Sequence, residues 1–254
     1  MNDEIQKLAQ YIDTHKRLVF FGGAGVSTES GIPDFRGEAG LYKAKKEYGY
    51  PPEELISHTF FIERPALFFR YYRENLLAFD AKPNGAHIAL AKLEEAGKLG
   101  ALITQNIDDL HRQAGSKNVL ELHGTNARHY CVDCKKSYSL QYTLDPKNQK
   151  DGIPRCESCG GVVRPDVVLY EEALDSNTLT KAVNELAKAD LCIVGGTSLA
   201  VYPAAGLLRY FTGNTLVLIN KTPTAMDSAA DLIIREPIGE VLSEAVKLWE
   251  EQNY

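Results

Sequence analysis

Short apolar runs alternate with longer amphipathic stretches along most of the chain. The helical spacing of Ile5, Leu8, Ala9 and Ile12 predicts a helix over residues 3–15. Predicted strands lie at Leu18–Phe21, Ala101–Thr104, Val119–Leu122, Leu191–Val194, Leu216–Ile219 and Leu232–Ile234, and later helices at 86–96, 182–187, 207–208 and 241–249. Strands that alternate with helices favour parallel pairing through right-handed crossovers. The pattern therefore predicts an α/β fold, a Rossmann-like parallel sheet with helices on both faces.

A glycine-rich turn follows the first predicted strand, within FFGGAGVSTESGIPDFRG at Phe20–Gly37. Gly23 and Gly25 allow a ligand to approach the backbone closely. Ser27 and Thr28 are placed to cap a following helix, whose free N–H groups attract phosphate. A strand, a glycine turn and a helix start are typical of dinucleotide binding. Because only the first two glycines of G-x-G-x-x-G are matched, a plain tight turn stays open as an alternative.

The stretch Phe60–Phe79 is rich in aromatic residues. Such residues fit the core of one or two packed helices. A second interpretation is an apolar wall beside a substrate tunnel. The two interpretations are compatible, because one aromatic helix can face both a core and a cavity.

Polar residues follow several predicted strands directly. Gln105, Asn106 and Asp108 come after the strand that ends at Thr104, and His123 follows the next strand. Later examples are Gly196, Thr197, Ser198 and Asn220. Open α/β sheets bind ligands at the carboxyl ends of their strands, so these residues are candidates for a site. The alternatives are Asn/Asp caps after strands and a structural histidine, although a histidine can accept a proton near neutral pH.

Four of the five cysteines form two pairs, Cys131-x-x-Cys134 and Cys156-x-x-Cys159. Two such knuckles supply the four thiolates of a tetrahedral zinc ion. Four protein ligands leave no position for a catalytic water, so the spacing predicts one structural Zn²⁺. Reduced thiols, a redox pair and a nucleic-acid-binding ribbon are the alternatives.

Composition narrows the possible partners. The chain has 254 residues, 44% of them hydrophobic, and a formal net charge of −6. Nucleic-acid binding needs a positive surface, so none is expected, whereas a cationic peptide is compatible with this charge. The acidic start Asn2-Asp3-Glu4 does not resemble a signal peptide, and no apolar run is long enough to cross a membrane. We therefore expect a cytoplasmic protein without a membrane partner.

Several motifs together resemble one family. They are GAGVSTESGIPDFR (Gly23–Arg36), TQNIDDLH (Thr104–His111), LHG (Leu122–Gly124), GTSLAVYPAA (Gly196–Ala205) and INKT (Ile219–Thr222), together with the two cysteine pairs. In this order, and over nearly the whole chain, they resemble the sirtuins of bacterial type, the NAD-dependent protein-lysine deacylases.

The resemblance implies a division into modules. The Rossmann-like NAD-binding domain would comprise residues 1–37, 81–123 and 166–254. A helical module at 38–80 and a zinc-ribbon module at 124–165 would together form the smaller domain over the active site.

The resemblance also implies roles for individual residues. His123 would be the general base, and Asn106 would orient the nicotinamide-side ribose and a water. Phe35 would shield the ribose C1′, and Asp108 would accept a hydrogen bond from the nicotinamide carboxamide. The full implied set of NAD contacts is Gly23, Ala24, Gly25, Thr28, Asp34, Phe35, Arg36, Gln105, Asn106, Ile107, Asp108, His123, Gly196, Thr197, Ser198, Asn220, Lys221 and Ile238.

The implied substrate is an acetylated protein or peptide, bound by strand addition. The implied contacts are Val167, Val168, Leu169, Tyr170, Ala200 and Val201. NAD would be consumed as a co-substrate, with transfer of the acetyl group to ADP-ribose and release of nicotinamide, O-acetyl-ADP-ribose and lysine. Nicotinamide, as a product, would also inhibit. The alternatives are a protein ADP-ribosyltransferase, a deacylase for longer acyl groups and, least favoured, a non-catalytic zinc-ribbon NAD sensor.

Three positions depart from family patterns. Glu171 and Asp109 stand where family members often have glycine, and Glu171 would place an acid beside the peptide groove. We therefore expect a preference for basic residues flanking the acetyl-lysine. A desuccinylating branch carries Tyr-x-x-Arg where this chain has Arg70-Tyr71-Tyr72-Arg73, so neutral acyl groups are expected, acetyl first.

Overall fold

A six-stranded parallel sheet forms the centre of the molecule. The structure is a computed structural model that describes residues 3–33 and 44–253. The strands are β1 Leu18–Gly22, β2 Leu99–Thr104, β3 Val119–Glu121, β9 Leu191–Gly195, β10 Thr215–Ile219 and β11 Leu232–Ile234. They lie in the order β11-β10-β9-β1-β2-β3, and each neighbouring pair is parallel. The predicted α/β fold with a parallel sheet is confirmed.

Helices cover both faces of the sheet. One face carries α1 Asp3–Thr14, α5 Gly85–Glu95 and α9 Ile238–Asn253, and the other carries α8 Ser176–Lys188 and a 3₁₀ segment, Ala204–Tyr210. Successive strand residues point to opposite faces, so Phe20 enters the first core and Phe21 the second. Burial on both faces explains why the strands are continuous apolar runs.

The turn after β1 differs from the prediction. Two short 3₁₀ turns, Ala24–Val26 and Thr28–Ser30, replace the expected α-helix, and the Ser27 side chain makes no capping hydrogen bond. Gly31 then adopts a left-handed conformation with φ of 83°, which ends the second turn. The expectation that Ser27 caps a helix is therefore wrong.

The helical segment that precedes α5 in the sequence has an aromatic core. Residues 44–48 are helical, followed by α2 Pro52–Leu55, α3 His58–Glu63 and α4 Pro65–Asn75. Phe61, Phe68 and Phe69 pack edge-to-face with ring centroids 5.1 to 6.0 Å apart. Core packing of the aromatic stretch is thus confirmed except at its end, where Phe79 is 63% exposed.

An antiparallel ribbon lies between β3 and α8 in the sequence. Strands β4 Gly124–Cys131, β5 Ser137–Ser139 and β8 Val163–Val167 lie in the order β5-β4-β8, and β6 Gln149–Lys150 pairs with β7 Ile153–Pro154. Two short helices, α6 Leu110–Gln113 and α7 Leu140–Leu144, lie on either side of β4 in the sequence. Over residues 3–33 and 44–253, no helix has the length and apolar character needed to cross a membrane.

Candidate active site

A cavity of about 600 Å³ lies where the sheet, the helical segment and the ribbon meet. The sheet edge contributes Ala24, Ser27, the loop Gln105–Asp108 and His123. The opposite wall includes the α4 residues Phe68 and Tyr72, and the remaining walls include Val167–Glu172, Val201 and Tyr202. One cavity therefore joins predicted NAD contacts to predicted peptide contacts. Because Phe68 and Tyr72 of α4 line it, the aromatic stretch forms part of the cavity wall, and its place beside a substrate stays a prediction.

His123 is half-buried and held by the loop that follows β2. Its Nδ1 lies 2.9 Å from the carbonyl oxygen of Gln105. A carbonyl oxygen can only accept, so Nδ1 carries the proton, and the lone pair of the neutral ring lies on Nε2. This tautomer is the one that a general base in the cavity requires.

A buried hydroxyl joins two of the predicted NAD contacts, Asp108 and Asn106. Ser27 donates to Asp108 Oδ2 at 2.6 Å and accepts from Asn106 Nδ2 at 3.1 Å. The other carboxylate oxygen of Asp108 accepts from the amide of Leu110 at 3.0 Å. Sequence reasoning gave Ser27 a capping role and missed this one, although the residue lies inside the GAGVS motif.

The glycines after β1 allow two turns to pack against each other. The Gly25 amide donates to the Gly196 carbonyl at 2.8 Å, and a Cβ on Gly25 would lie 2.7 Å from the Gly196 Cα. A Cβ on Gly23 would approach the Cβ of Thr197 to 2.8 Å. Side chains at Gly23 and Gly25 would thus force the turns after β1 and β9 apart.

Other predicted NAD contacts lie at the same edge of the sheet. Thr197 accepts from Gln105 Nε2 through its hydroxyl at 3.0 Å, and its amide donates to Asn220 Oδ1 at 2.9 Å. The Asn220 side chain also donates to the Thr197 carbonyl, so it braces the turn after β9. Thr28, Ser198 and Lys221 are exposed.

One predicted NAD contact, Ile238, is placed differently from the prediction. The Ile238 side chain is buried in the core beneath Gly195, so only its backbone remains for contact with a nucleotide. Asp34, Phe35 and Arg36 lie outside the described residues.

The predicted peptide-binding segment already uses three consecutive amides. Val168 donates to the carbonyl of His123 at 2.9 Å, Leu169 to Glu172 Oε2 at 2.8 Å, and Tyr170 to the carbonyl of Ile56 at 3.1 Å. These amides are therefore committed to contacts within the protein. A peptide that adds as a strand has to use other groups of this segment and of the opposite rim, where Ala200 and Tyr202 are exposed and Val201 is half-buried.

Asp109 and Glu171, the two acidic residues predicted to replace glycine, both adopt a left-handed backbone conformation. Asp109 has φ of 66° and Glu171 has φ of 76°, and both line the cavity. The backbone geometry explains why glycine suits these positions. Glu171 Oε2 accepts from the amide and the hydroxyl of Thr59 at 2.9 and 2.7 Å, and these bonds lower the pKa of its exposed carboxyl.

The four paired cysteines come together at one end of the ribbon. The sulfurs of Cys131, Cys134, Cys156 and Cys159 all lie within 4.8 Å of one another. Two of the separations are 3.4 and 3.6 Å, close to the ~3.8 Å edge of a tetrahedron with Zn–S bonds of ~2.3 Å. The Tyr138 hydroxyl lies 2.9 Å from the Cys156 sulfur, as a supporting hydrogen-bond partner. The cluster fits one structural zinc ion.

Comparison with known proteins identifies the family. The model of the Sir2 family matches residues 23–203, which is more than half of the chain. The chain therefore belongs to the Sir2 family.

Individual relatives are similar over almost their entire length. A protein of Clostridium acetobutylicum named NAD-dependent protein deacetylase is 56% identical over 244 residues, covering 96% of this chain and 98% of its own. A solved complex of a Sir2 homologue with NAD aligns with a TM-score of 0.88 at 39% identity, covering 100% of this chain and 96% of its own. A Sir2 variant with a deacetylated p53 peptide and 3′-O-acetyl-ADP-ribose aligns with a TM-score of 0.87 at 38% identity, covering 96% and 98%.

Proposed function

We propose that this protein is an NAD-dependent protein-lysine deacetylase. It transfers the acetyl group of acetyl-lysine to ADP-ribose and, with the consumption of one water, releases nicotinamide, O-acetyl-ADP-ribose and lysine. The observation that carries the proposal is the single cavity in which His123, in the tautomer of a base, shares walls with Asn106, Asp108 and the segment Val167–Tyr170. NAD serves as the co-substrate that accepts the acetyl group through its ADP-ribose part.

His123 acts as the general base of the reaction. Its Nδ1–H remains on the Gln105 carbonyl, which fixes the ring, and Nε2 accepts a proton from the ribose hydroxyls. Asn106 orients the same ribose and a water. The backbone amide of Asn106 donates to the Thr104 hydroxyl at 3.0 Å, and this bond holds the loop in place.

Asp108 and Ile107 hold the nicotinamide ring. The Asp108 carboxylate is aimed by Ser27 and by the amide of Leu110, and it accepts from the carboxamide NH₂ of nicotinamide. Because the ring binds here both as part of NAD and as product, nicotinamide inhibits the enzyme.

The remaining NAD contacts follow the edge of the sheet. Gly23, Ala24 and Gly25 admit the dinucleotide, Gln105 contacts the nicotinamide-side ribose and Asn220 the adenine ribose. The full proposal adds Thr28, Gly196, Thr197, Ser198 and Lys221, the backbone of Ile238, and, by resemblance, Asp34, Phe35 and Arg36.

The two domains have different roles in binding NAD and the acyl-lysine. Residues 1–37, 81–123 and 166–254 bind NAD, whereas 38–80 and 124–165 cover the acyl-lysine. The zinc ion held by the four cysteines keeps the ribbon folded and takes no part in the reaction. Its reduced thiolates favour the cytoplasm as the compartment, and the acidic net charge of −6 argues against nucleic-acid binding.

The peptide binds between Val167–Tyr170 and Ala200–Val201. The acyl group enters the cavity beside Phe68 and Tyr72, whose hydroxyl donates to Asn126 Oδ1 at 3.0 Å. Among the described wall residues of α4, the cavity presents aromatic rings and no lysine or arginine, which suits neutral acyl groups, acetyl first. A second candidate function, ADP-ribosyl transfer to protein, is less favoured because it does not require a base at His123.

Nicotinamide release from NAD tests the proposal. Wild-type protein with an acetyl-lysine peptide should release nicotinamide, and His123→Ala should lose about 10²- to 10⁴-fold in rate. His15→Ala is the matched control, since His15 bonds Tyr11 and Thr215 away from the cavity and its loss should leave the rate near wild type.

The fate of labelled NAD separates the alternatives. Label in O-acetyl-ADP-ribose supports deacetylation, whereas label on the protein substrate supports ADP-ribosyl transfer. NAD binding without any nicotinamide release would contradict an enzymatic role.

A further inference from the structure

An ion pair between the buried Arg164 and the half-buried Glu172 lies behind the peptide-binding segment. Arg164 is 4% exposed, and its guanidinium bonds both carboxylate oxygens of Glu172, at 2.6 and 3.0 Å. The guanidinium also lies 5.0 Å from the centre of the Phe61 ring, and His58 Nδ1 lies 2.9 Å from the same carboxylate. This bidentate ion pair, packed against an aromatic ring, has a fixed geometry.

The same two side chains also bond the backbone of the segment. Arg164 Nη2 donates to the Val167 carbonyl at 2.7 Å. Glu172 Oε2 accepts from the Leu169 amide at 2.8 Å. We call Arg164, Glu172 and these two backbone bonds the strand clasp. The strand clasp therefore bonds the segment at Val167 and at Leu169, on either side of Val168.

Val168, which lies between these two backbone bonds, is hydrogen-bonded to the proposed base. The Val168 amide donates to the backbone carbonyl of His123 at 2.9 Å. We propose that Arg164 and Glu172 are positioning residues that set the distance between the acyl-lysine-binding segment and His123. This inference rests on the proposed deacetylase function and extends it to two residues behind the acyl-lysine-binding segment, of which Glu172 also lines the cavity.

The charge of the clasp is internally balanced. Burial alone would raise the pKa of Glu172, but the Arg164 guanidinium and the Leu169 amide outweigh it, so the pKa lies below its usual value. Glu172 is therefore ionised under assay conditions near neutral pH. Removing one partner leaves a buried charge without its counter-ion, whereas replacing both with apolar residues can restore stability.

Steady-state kinetics of two variants test the clasp. Glu172→Gln keeps the size of the side chain but loses the ion pair, and should raise the KM for an acetyl-lysine peptide about tenfold. The KM for NAD should change by less than about twofold. The double variant Arg164→Met/Glu172→Leu should recover Tm toward wild type while the peptide KM stays high.

Glu185→Gln is the matched control, because Glu185 pairs with Arg17 and Lys188 on the sheet domain. It should leave both KM values unchanged. A wild-type peptide KM in Glu172→Gln would overturn the clasp, as would a double variant that recovers Tm and peptide KM together. A wild-type enzyme without peptide-dependent nicotinamide release would instead refute the proposed function.

Discussion

The Ser27 hydroxyl donates a 2.6 Å hydrogen bond to Asp108, which joins the turn after β1 to the loop after β2. This length is typical of a hydroxyl that donates to a carboxylate. Since Ser27 also accepts from Asn106, one buried hydroxyl orients both the residue assigned to nicotinamide and the residue assigned to the ribose. The two strands that carry these loops are direct neighbours in the sheet.

Ser27→Ala should reduce kcat/KM for NAD about ten- to a hundredfold, because a hydrogen bond to a charged group contributes about 1.5–3 kcal/mol. Deacetylation at varied NAD measures the effect. Ser30→Ala is the matched control, since Ser30 lies in the same segment and accepts from Asn84 at 3.0 Å instead. A value of kcat/KM within about twofold of wild type in Ser27→Ala would contradict the role given to the hydroxyl.

Zinc content and thermal stability should fall together when one ligand is removed. Cys134→Ser should lose the bound ion, and at free zinc ~1,000-fold above Kd the lost stabilisation is about 4 kcal/mol. Elemental analysis and Tm measure both quantities. A chelator should lower the Tm of wild type and leave that of Cys134→Ser unchanged.

Cys192→Ala provides the control for thiol chemistry. Cys192 is buried in β9, where burial raises the pKa of its thiol, and it is remote in sequence from the four ligands. This variant should keep the zinc ion. Equal loss of metal in Cys192→Ala and Cys134→Ser would show that the ribbon cluster is not the zinc site.

The sheet was predictable from sequence because its strands are buried on both faces. Continuous apolar runs such as Leu191–Val194 are too short for a buried helix, and the structure extends that strand by only one residue, to Gly195. The zinc cluster was predictable because the spacing of its ligands is local. These features depend on short stretches of sequence alone.

Features that depend on contacts between distant segments were not predictable. Ser27 was expected to cap a helix, but its hydroxyl is captured by Asp108, 81 residues away. The pair of Glu172 with Arg164 gave no signal in the sequence, because Arg164 is buried against Phe61 of α3, a residue distant in the chain. Resemblance to sirtuins predicted His123 as the base, whereas its tautomer follows only from the position of the Gln105 carbonyl.

Glu171 should give the enzyme a preference for peptides with basic flanking residues. Its carboxyl is exposed, and the hydrogen bonds from Thr59 lower its pKa, so it is ionised at neutral pH. Peptide arrays with Lys or Arg beside the acetyl-lysine should react about two- to threefold faster than acidic ones, and less so at high salt.

Glu171→Gln is the matched variant, because an amide oxygen can still accept from Thr59. It should abolish the preference and leave the rate with a neutral peptide unchanged. Equal rates on basic and acidic arrays in the wild type would contradict the expectation.

The ionised side chain of Asp109 should lower the free energy of unfolding at neutral pH. Burial, followed by the nearby Glu121 carboxylate, raises its pKa, and these effects outweigh the attraction of Arg112. A raised pKa in the folded state means that the protonated form is favoured by folding. The contribution to stability is therefore full below the ordinary aspartate pKa of about 3.9 and is lost as pH rises through the folded-state value.

Asp109→Asn should accordingly stabilise the protein at pH 7. Asparagine tolerates the left-handed backbone at φ of 66° as well as aspartate does, so the change removes the charge alone. After allowance for solvent screening of this half-buried group, the gain is about 0.5 kcal/mol, or about 1–2 °C in Tm. Because both side chains are uncharged in acid, the difference in Tm should disappear below about pH 4. Thermal unfolding of both proteins across this range measures it, and a gain that persists at low pH would show that packing, not charge, is responsible.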